Sequence, residues 1–308
     1  MSALGAVFSL SMLAQTLRAS LPYVCAAQGG VLSEKSGVVN IGLEGMLLSS
    51  GLASIAVAHS TGSAALGASA GVCTGAAMGL VHALLVVKGR VNAIVSGIAL
   101  NLAAAGGTRI VLRALYGSSS NSPAIEAFRF GSEGTSGLSM LIRTLLDPVA
   151  IATLLSTIAV VWMLQRTRFG LRVRACGESP WAAASAGVDV TWTRIASVSL
   201  GGAFAGLGGA ALAFEQHQFQ SGMSAGRGFI ALAAVIVAGW RPGRAALACL
   251  VFAALDALLG AMPGQSRALH DVVSMMPYVA TLFALTALSF RENATRPPAG
   301  LGKHADAS

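Results

Sequence analysis

From Leu4 to Phe290 the chain repeats one pattern: a long apolar stretch, then a short polar and mostly basic break. The apolar stretches fall at 4–27, 43–59, 64–87, 93–115, 147–165, 194–214, 227–240, 245–262 and 275–290. A helix needs about 20 apolar residues to cross a bilayer core, and most of these stretches have that length. They are continuous apolar runs, not the alternation of a transmembrane β-strand, so they predict helices. The segment 227–240 is short and reads as a half-helix or a tilted one. The stretch 28–42 is polar and broken by glycine, and reads as a loop or as the unwound middle of a discontinuous helix. The pattern predicts an all-α fold, a polytopic transmembrane helical bundle of about 8–10 spans. It forms one domain over 1–290, followed by a disordered cytoplasmic tail over 291–308 that contains Pro297, Pro298 and Gly300.

Composition makes the membrane reading firm. Hydrophobic residues are 55%, charged residues 10%, and mean hydropathy is +0.71. A soluble protein needs a more polar skin than this, and no soluble domain of useful size fits beside the spans. Glycine is abundant, with 37 residues. Gly67, Gly71, Gly75 and Gly79 recur every fourth residue, and Gly202 and Gly206 repeat that spacing, as tight helix–helix packing in lipid requires. A glycine face lining a path is the alternative. The first apolar stretch carries Arg18 and Pro22 and runs on into a second, so it reads as an inserted span and not a cleaved leader. Cys25, Cys73, Cys176 and Cys249 are isolated, and neither they nor the histidines form a metal pattern.

The net charge of +8 sits in the breaks between spans, which argues for membrane topology and against nucleic acid. Lys88 and Arg90, then Arg166, Arg168, Arg172, Arg174 and Arg194, then Arg241 and Arg244, then Arg291, Arg296 and Lys303 all fall on one side, the cytoplasm. The charge-balanced, Ser- and Gly-rich stretch 116–146 reads as a solvated external loop. The side of the N-terminus depends on whether 4–42 holds one crossing or two.

Polar residues within spans are costly in lipid and are therefore candidate path residues. Glu44 leads, with Asn40 four positions earlier on the same face if the helix is continuous there. Asn92, Ser96 and Asn101 follow, on roughly one face of an otherwise apolar span. All five are equally able to bond neighbouring helices. Asp256 reads as an acid paired with a neighbouring helix. No catalytic constellation is present: the string GMSAG at 222–226 lacks the strand–turn–helix context of a nucleophile elbow. No G-x-x-x-x-G-K-[ST] phosphate loop occurs either, so the chain itself has no such cradle for ATP.

The loop 166–193 carries a short helix with clear punctuation. Ser179 suits the N-cap, Pro180 the first turn and Gly187 the position past the end. Between them lie Trp181, Ala182, Ala183 and Ala186, with Gly177 and Glu178 leading in. Two turns are marginal alone. This helix either packs on its own membrane domain and lipid, or docks into a cytoplasmic partner as a coupling helix.

The blocks SEKSGVVNIGLEGMLL (33–48), VNAIVSGIALNL (91–102), RFGLRVRACGESPWAAASAGV (168–188) and GMSAGRGFIALAAVIVAGWRP (222–242) resemble the permease subunits of bacterial ABC importers for nucleosides, simple sugars and branched-chain amino acids. The resemblance is nearest to the nucleoside permeases and covers nearly the whole chain. It implies a multi-pass protein of the bacterial cytoplasmic (inner) membrane that is not itself an enzyme. It also implies separate ATP-binding cassette ATPase subunits that hold the ATP and Mg, a second permease of different sequence, and an extracytoplasmic substrate-binding protein, all embedded in or bound to membrane lipids. The block 177–187 falls on the family's coupling-helix region. An ion-coupled secondary transporter is the competing class, and it needs intramembrane acids placed for coupling.

Overall fold

Most helices in this chain start and stop where the local chemistry dictates. The computed structural model describes residues 9–125, 137–260 and 296–303, and among these it contains eleven α-helices. Helix α1 spans Leu10–Lys35, α2 Leu43–Thr61, α3 Ala64–Ala83 and α4 Ala93–Tyr116. Helix α5 spans Gly137–Leu146, α6 Pro148–Arg166, α7 Arg168–Glu178 and α8 Pro180–Ser185. Helix α9 spans Val190–Glu215, α10 Arg227–Val237 and α11 Pro242–Gly260. Side chains of Ser9, Ser63, Asn92, Asp147, Thr167, Ser179 and Asp189 each accept a first-turn N–H, as N-caps do. Gly62 and Gly117 close α2 and α4 in the left-handed conformation. A π-turn over Leu84–Lys88 extends α3.

Among the described residues, four helical stretches are long and apolar enough to cross a membrane: Ala64–Lys88, α4, α6 and α9. Helices α1 and α2 match them in length but interrupt the apolar run with Arg18, Gln28, Glu34 and Glu44. The predicted span at 275–290 lies outside the described residues, as does part of the loop 116–146.

Helix α9 is the centre of the bundle: 61% of its apolar window is buried, against 28% for α4 and for α6. Glycines let it sit there. A Cβ on Gly75 or Gly79 would overlap α9 backbone, and one on Gly202 or Gly206 would overlap α3 backbone. The first half of the α3 stripe faces α2 instead, with Gly67 and Gly71 against Ser54 and Ala58. In lipid, backbone contact of this kind replaces the hydrophobic drive that holds soluble helices together. One apolar core lies between α1, α6, α7, α10 and α11, and a second between α2, α9 and the polar connection that precedes α10.

The basic residues collect at one end. Lys88, Arg90, Arg194 and Lys303 border one cavity there, and Lys35, Arg174, Arg241 and Arg244 border another. Helix α1 runs toward this end, so Leu10 lies at the opposite one, where Arg18 donates to Thr144 of α5 at 2.8 Å.

The structure differs from the sequence reading in four places. The helix does not end near residue 27: α1 continues to Lys35, and only 36–42 is non-helical. Gly29 and Gly30 are helical because they give close approach to Gly201, Leu43 and Val235. The stretch 116–146 is not all solvated loop, since 137–146 forms the amphipathic α5. The loop 166–193 holds two helices, because Thr167 caps a new helix that Gly170 lets fold back against Met163 and Leu164. Finally, residues 296–303 of the tail are folded onto the basic end. Gly300 N–H donates to Gly177 O at 2.8 Å and Gly302 N–H to Gly37 O at 2.9 Å, while Leu301 enters the first core.

Candidate functional site

Helix α10 begins inside the bundle. The chain leaves α9 at Glu215, descends through a non-helical stretch that contains GMSAG, and becomes helical only at Arg227. From there α10 runs to the basic end, where Trp240 Nε1 donates to Glu34 and Gln28 Nε2 donates to Pro242 O at 3.1 Å. Eleven helical residues cover ~16 Å, so its N-terminus sits roughly at the middle of a ~30 Å hydrocarbon layer. A buried helix start leaves orphan N–H groups with no water to bond them.

Glu44 supplies the acceptors. Its carboxylate accepts from Gly226 N–H at 2.8 Å and from Gly228 N–H at 2.7 Å. Gly226 has φ +81° and brings no side-chain cap of its own, and a Cβ on Gly228 would press into the Glu44 backbone. The negative carboxylate also complements the positive end of the helix dipole.

The next residue carries the second clamp. Gly45 N–H donates to Asn101 Oδ1 at 2.8 Å, and Asn101 Nδ2 donates to Ile41 O at 3.0 Å. Asn101 thereby caps the start of α2, whose N-cap Gly42 has no side chain to do so. Higher on α4, Arg109 Nε donates to Ser221 at 2.8 Å. One polar seam thus joins α2, α4 and the start of α10. Glu44 and Asn101 are part-exposed along it, beside the exposed Phe229 and Ile98.

The other predicted path residues lie elsewhere. Asn40 precedes α2, so it shares no helical face with Glu44. It is buried, with Nδ2 donating to Ser33 Oγ at 3.2 Å. Asn92 is the exposed cap of α4, accepting from Ile94 and Val95. Ser96 faces α3 and pairs with His82 Nδ1 at 2.9 Å, while the other His82 nitrogen lies 3.0 Å from Val39 O. Ser96 and Asn101 are five residues apart, which turns them to different faces at 100° per residue.

Sequence reasoning missed Arg227. It pairs with Asp256 at 3.2 Å, lies 5.8 Å from the ring of Tyr23, and donates to Met223 O at 2.9 Å. Tyr23 donates to the same Asp256 carboxylate at 3.3 Å. An arginine opening an apolar segment, with a lone acid in the next one, was the available signal.

At the basic end, α8 stands on α7. Ser179 Oγ accepts from Ala182 N–H at 3.3 Å, Pro180 opens α8, and Gly187 turns the chain at φ +79°. Ala183 packs with Cys176 and Val190, and burial pushes the Cys176 thiol up, consistent with inert packing. Gly177 lies against Lys35 O, with no room for a side chain. Glu178 accepts from Ala299 N–H at 3.3 Å. Above this seat Trp181, Leu171 and Trp192 are exposed, at 68%, 60% and 56%. Ala182 in α8 and Ala186 just past its end are exposed as well.

A family model described as the branched-chain amino acid transport system / permease component matches residues 12–282. The chain is 34% identical over 295 residues to the guanosine ABC transporter permease protein NupQ of Bacillus subtilis (strain 168), covering 91% of this chain and 92% of that one. It is 32% identical over 288 residues to the nucleoside ABC transporter permease protein NupC of Lactococcus lactis subsp. cremoris (strain MG1363), covering 89% and 90%. It is 28% identical over 259 residues to the glucose ABC transporter permease protein TsgB13 of Haloferax volcanii, covering 79% and 68%. No solved structure matches the chain.

Proposed function

The chain belongs to the permease-component family of branched-chain amino acid transport systems, and on that premise we propose that it forms one half of the path for a nucleoside. As a member it is an integral inner-membrane subunit of an ABC importer, working with ATPase and substrate-binding partners, and it is not an enzyme. The solute class is our reading. It rests on the two relatives named for guanosine and nucleosides, each matched over nine-tenths of its length. A sugar permease is the second reading, favoured by the Haloferax relative.

The observation that carries the path is the Glu44 clamp on the start of α10. A broken helix inside the bilayer offers polar backbone to a passing solute where an unbroken one presents only side chains. Asn101 borders that break, and beyond its bonds to Gly45 and Ile41 it retains a second amide N–H and a second carbonyl lone pair for hydroxyls and base edges. Few strong contacts are needed, since tight binding in the path would slow release. The seam lies on the part-exposed side of α4 and α10, where a second permease completes the conduit; we take that permease to be a different paralogue.

The acids do not favour ion coupling. Glu44 is spent on two N–H groups and Asp256 on Arg227 and Tyr23, so neither is poised to load an ion. Power is proposed to arrive through α7 and α8. ATP closure of the partner subunits pulls on the exposed Trp181 and Leu171, and the tight contact of α7 through Gly177 on Lys35 passes the pull to α1. Tryptophan is enriched among interface hot spots, whose truncation costs about 2 kcal/mol or more. Trp181→Ala is therefore expected to weaken ATPase association about 30-fold. Pull-down of the ATPase with the purified variant tests it. Unchanged association together with unchanged transport returns α8 to a purely structural role.

A further inference from the structure

The basic end holds a cavity of about 400 Å³ between the turn after α1, the π-turn after α3, the start of α4, the start of α9 and the folded tail. Four cations border it: Lys88, Arg90, Arg194 and Lys303. Among the described residues no acidic side chain lines it, and nearby Asp189 is engaged as the cap of α9.

Arg194 is the telling residue. It is 96% buried, at 4% exposure. Its Nε donates to Ser36 O at 3.1 Å and its Nη1 to Lys303 O at 2.9 Å. Its Nη2 has no partner among the described residues. Two carbonyls do not neutralise a buried guanidinium, and a buried cation without an anion is strongly unfavourable. Planar Arg donors match phosphate oxygens particularly well.

The surroundings say which anion. The cavity opens beside the first turns of α4, where Ile94, Val95 and Ile98 are exposed and apolar. At the end of α3 and in the π-turn after it, Val81, Leu84 and Leu85 are exposed as well. A charged pocket at the cytoplasmic end of a bundle, continuous with two greasy helix faces, fits a molecule with an anionic head and acyl chains. Basic pockets between transmembrane helices on that side have this chemistry in general.

We propose that this cavity is a binding site for the phosphodiester headgroup of an anionic phospholipid, whose chains lie along α3 and α4. The headgroup bridges Arg194 to Lys88 and Lys303. It thereby ties the turn after α1, the start of α9 and the tail into one unit on the face where the motor subunits are expected. A free phosphate shares the headgroup chemistry but not the apolar contact, so the two sources are separable.

The test uses the purified full-length chain in neutral detergent, with native mass spectrometry as phosphatidylglycerol or phosphatidylcholine is titrated in. Saturable retention of phosphatidylglycerol in preference to phosphatidylcholine is expected. One basic residue near an anionic headgroup contributes roughly fivefold, so Lys88→Gln with Lys303→Gln should weaken retention about 30-fold. Both side chains are exposed, so the fold survives the change. Arg172→Gln with Arg244→Gln removes equal charge from the same end but outside the cavity, and should leave retention within about twofold. An excess of inorganic phosphate should not displace the lipid. Equal retention of the two lipids, equal loss in both double variants, or full displacement by inorganic phosphate would each overturn the proposal.

Discussion

Glu44→Ala deletes both acceptors that hold the first turn of α10. Each bond from a backbone N–H to a charged oxygen contributes about 1.5–3 kcal/mol, and the helix dipole adds up to about 2 kcal/mol in a partly buried site. Glu44 is only part-buried, which lowers all three contributions. A net loss of about 3–4 kcal/mol follows, since two orphan N–H groups remain in a medium that does not solvate them. Glu44→Gln keeps one carbonyl oxygen and should lose about half as much, while its new amide faces a donor. Glu44→Asp is one methylene shorter and should keep one bond. The assay is denaturation of the purified protein in detergent, paired with ATP-driven uptake normalised to the amount inserted. The expected order of stability is wild type, then Gln and Asp, then Ala, with uptake falling further than abundance. A Glu44→Ala protein with wild-type stability and uptake would refute the clamp and remove Glu44 from the path together.

Two further changes probe the scaffold. Gly75→Val forces a branched side chain into the backbone of α9, so inserted protein should drop to near background on membrane immunoblots, whereas the same change at open Gly106 should be tolerated. Deleting residues 296–308 removes the Gly177, Gly37 and Arg194 partners of the tail. It should lower stability in detergent by about 2–4 kcal/mol, chiefly by stripping a carbonyl from buried Arg194.

The spans were legible because lipid imposes a single rule, continuous apolar helix, and the glycine repeat because backbones approach only where side chains vanish. Caps were legible for the same local reason: Ser179, Pro180 and Gly187 each occupy the position their chemistry favours. What the residues alone did not reveal is long-range. Glu44 reaches a helix start about 180 positions later, and nothing in the spacing of Asn92, Ser96 and Asn101 says that the first caps its own helix, the second pairs with a histidine and the third caps the start of α2. The continuation of α1 through Gly29 and Gly30 was hidden because tertiary packing on α9 outweighs glycine's weak helix propensity. The tail read as disordered because its partners, Gly37, Gly177 and Arg194, are scattered over the chain.

On the proposed mechanism a nucleoside passes the helix break at Glu44, driven by ATP split on other subunits. Proteoliposomes that contain this permease with an ABC-importer ATPase and the proposed second permease, supplied with a binding protein outside and ATP within, test that directly. Labelled guanosine should accumulate, ATP depletion should stop it, collapse of ion gradients should not, and Glu44→Ala should abolish it. Accumulation that persists without ATP, or that favours glucose and ignores guanosine, would contradict the claim.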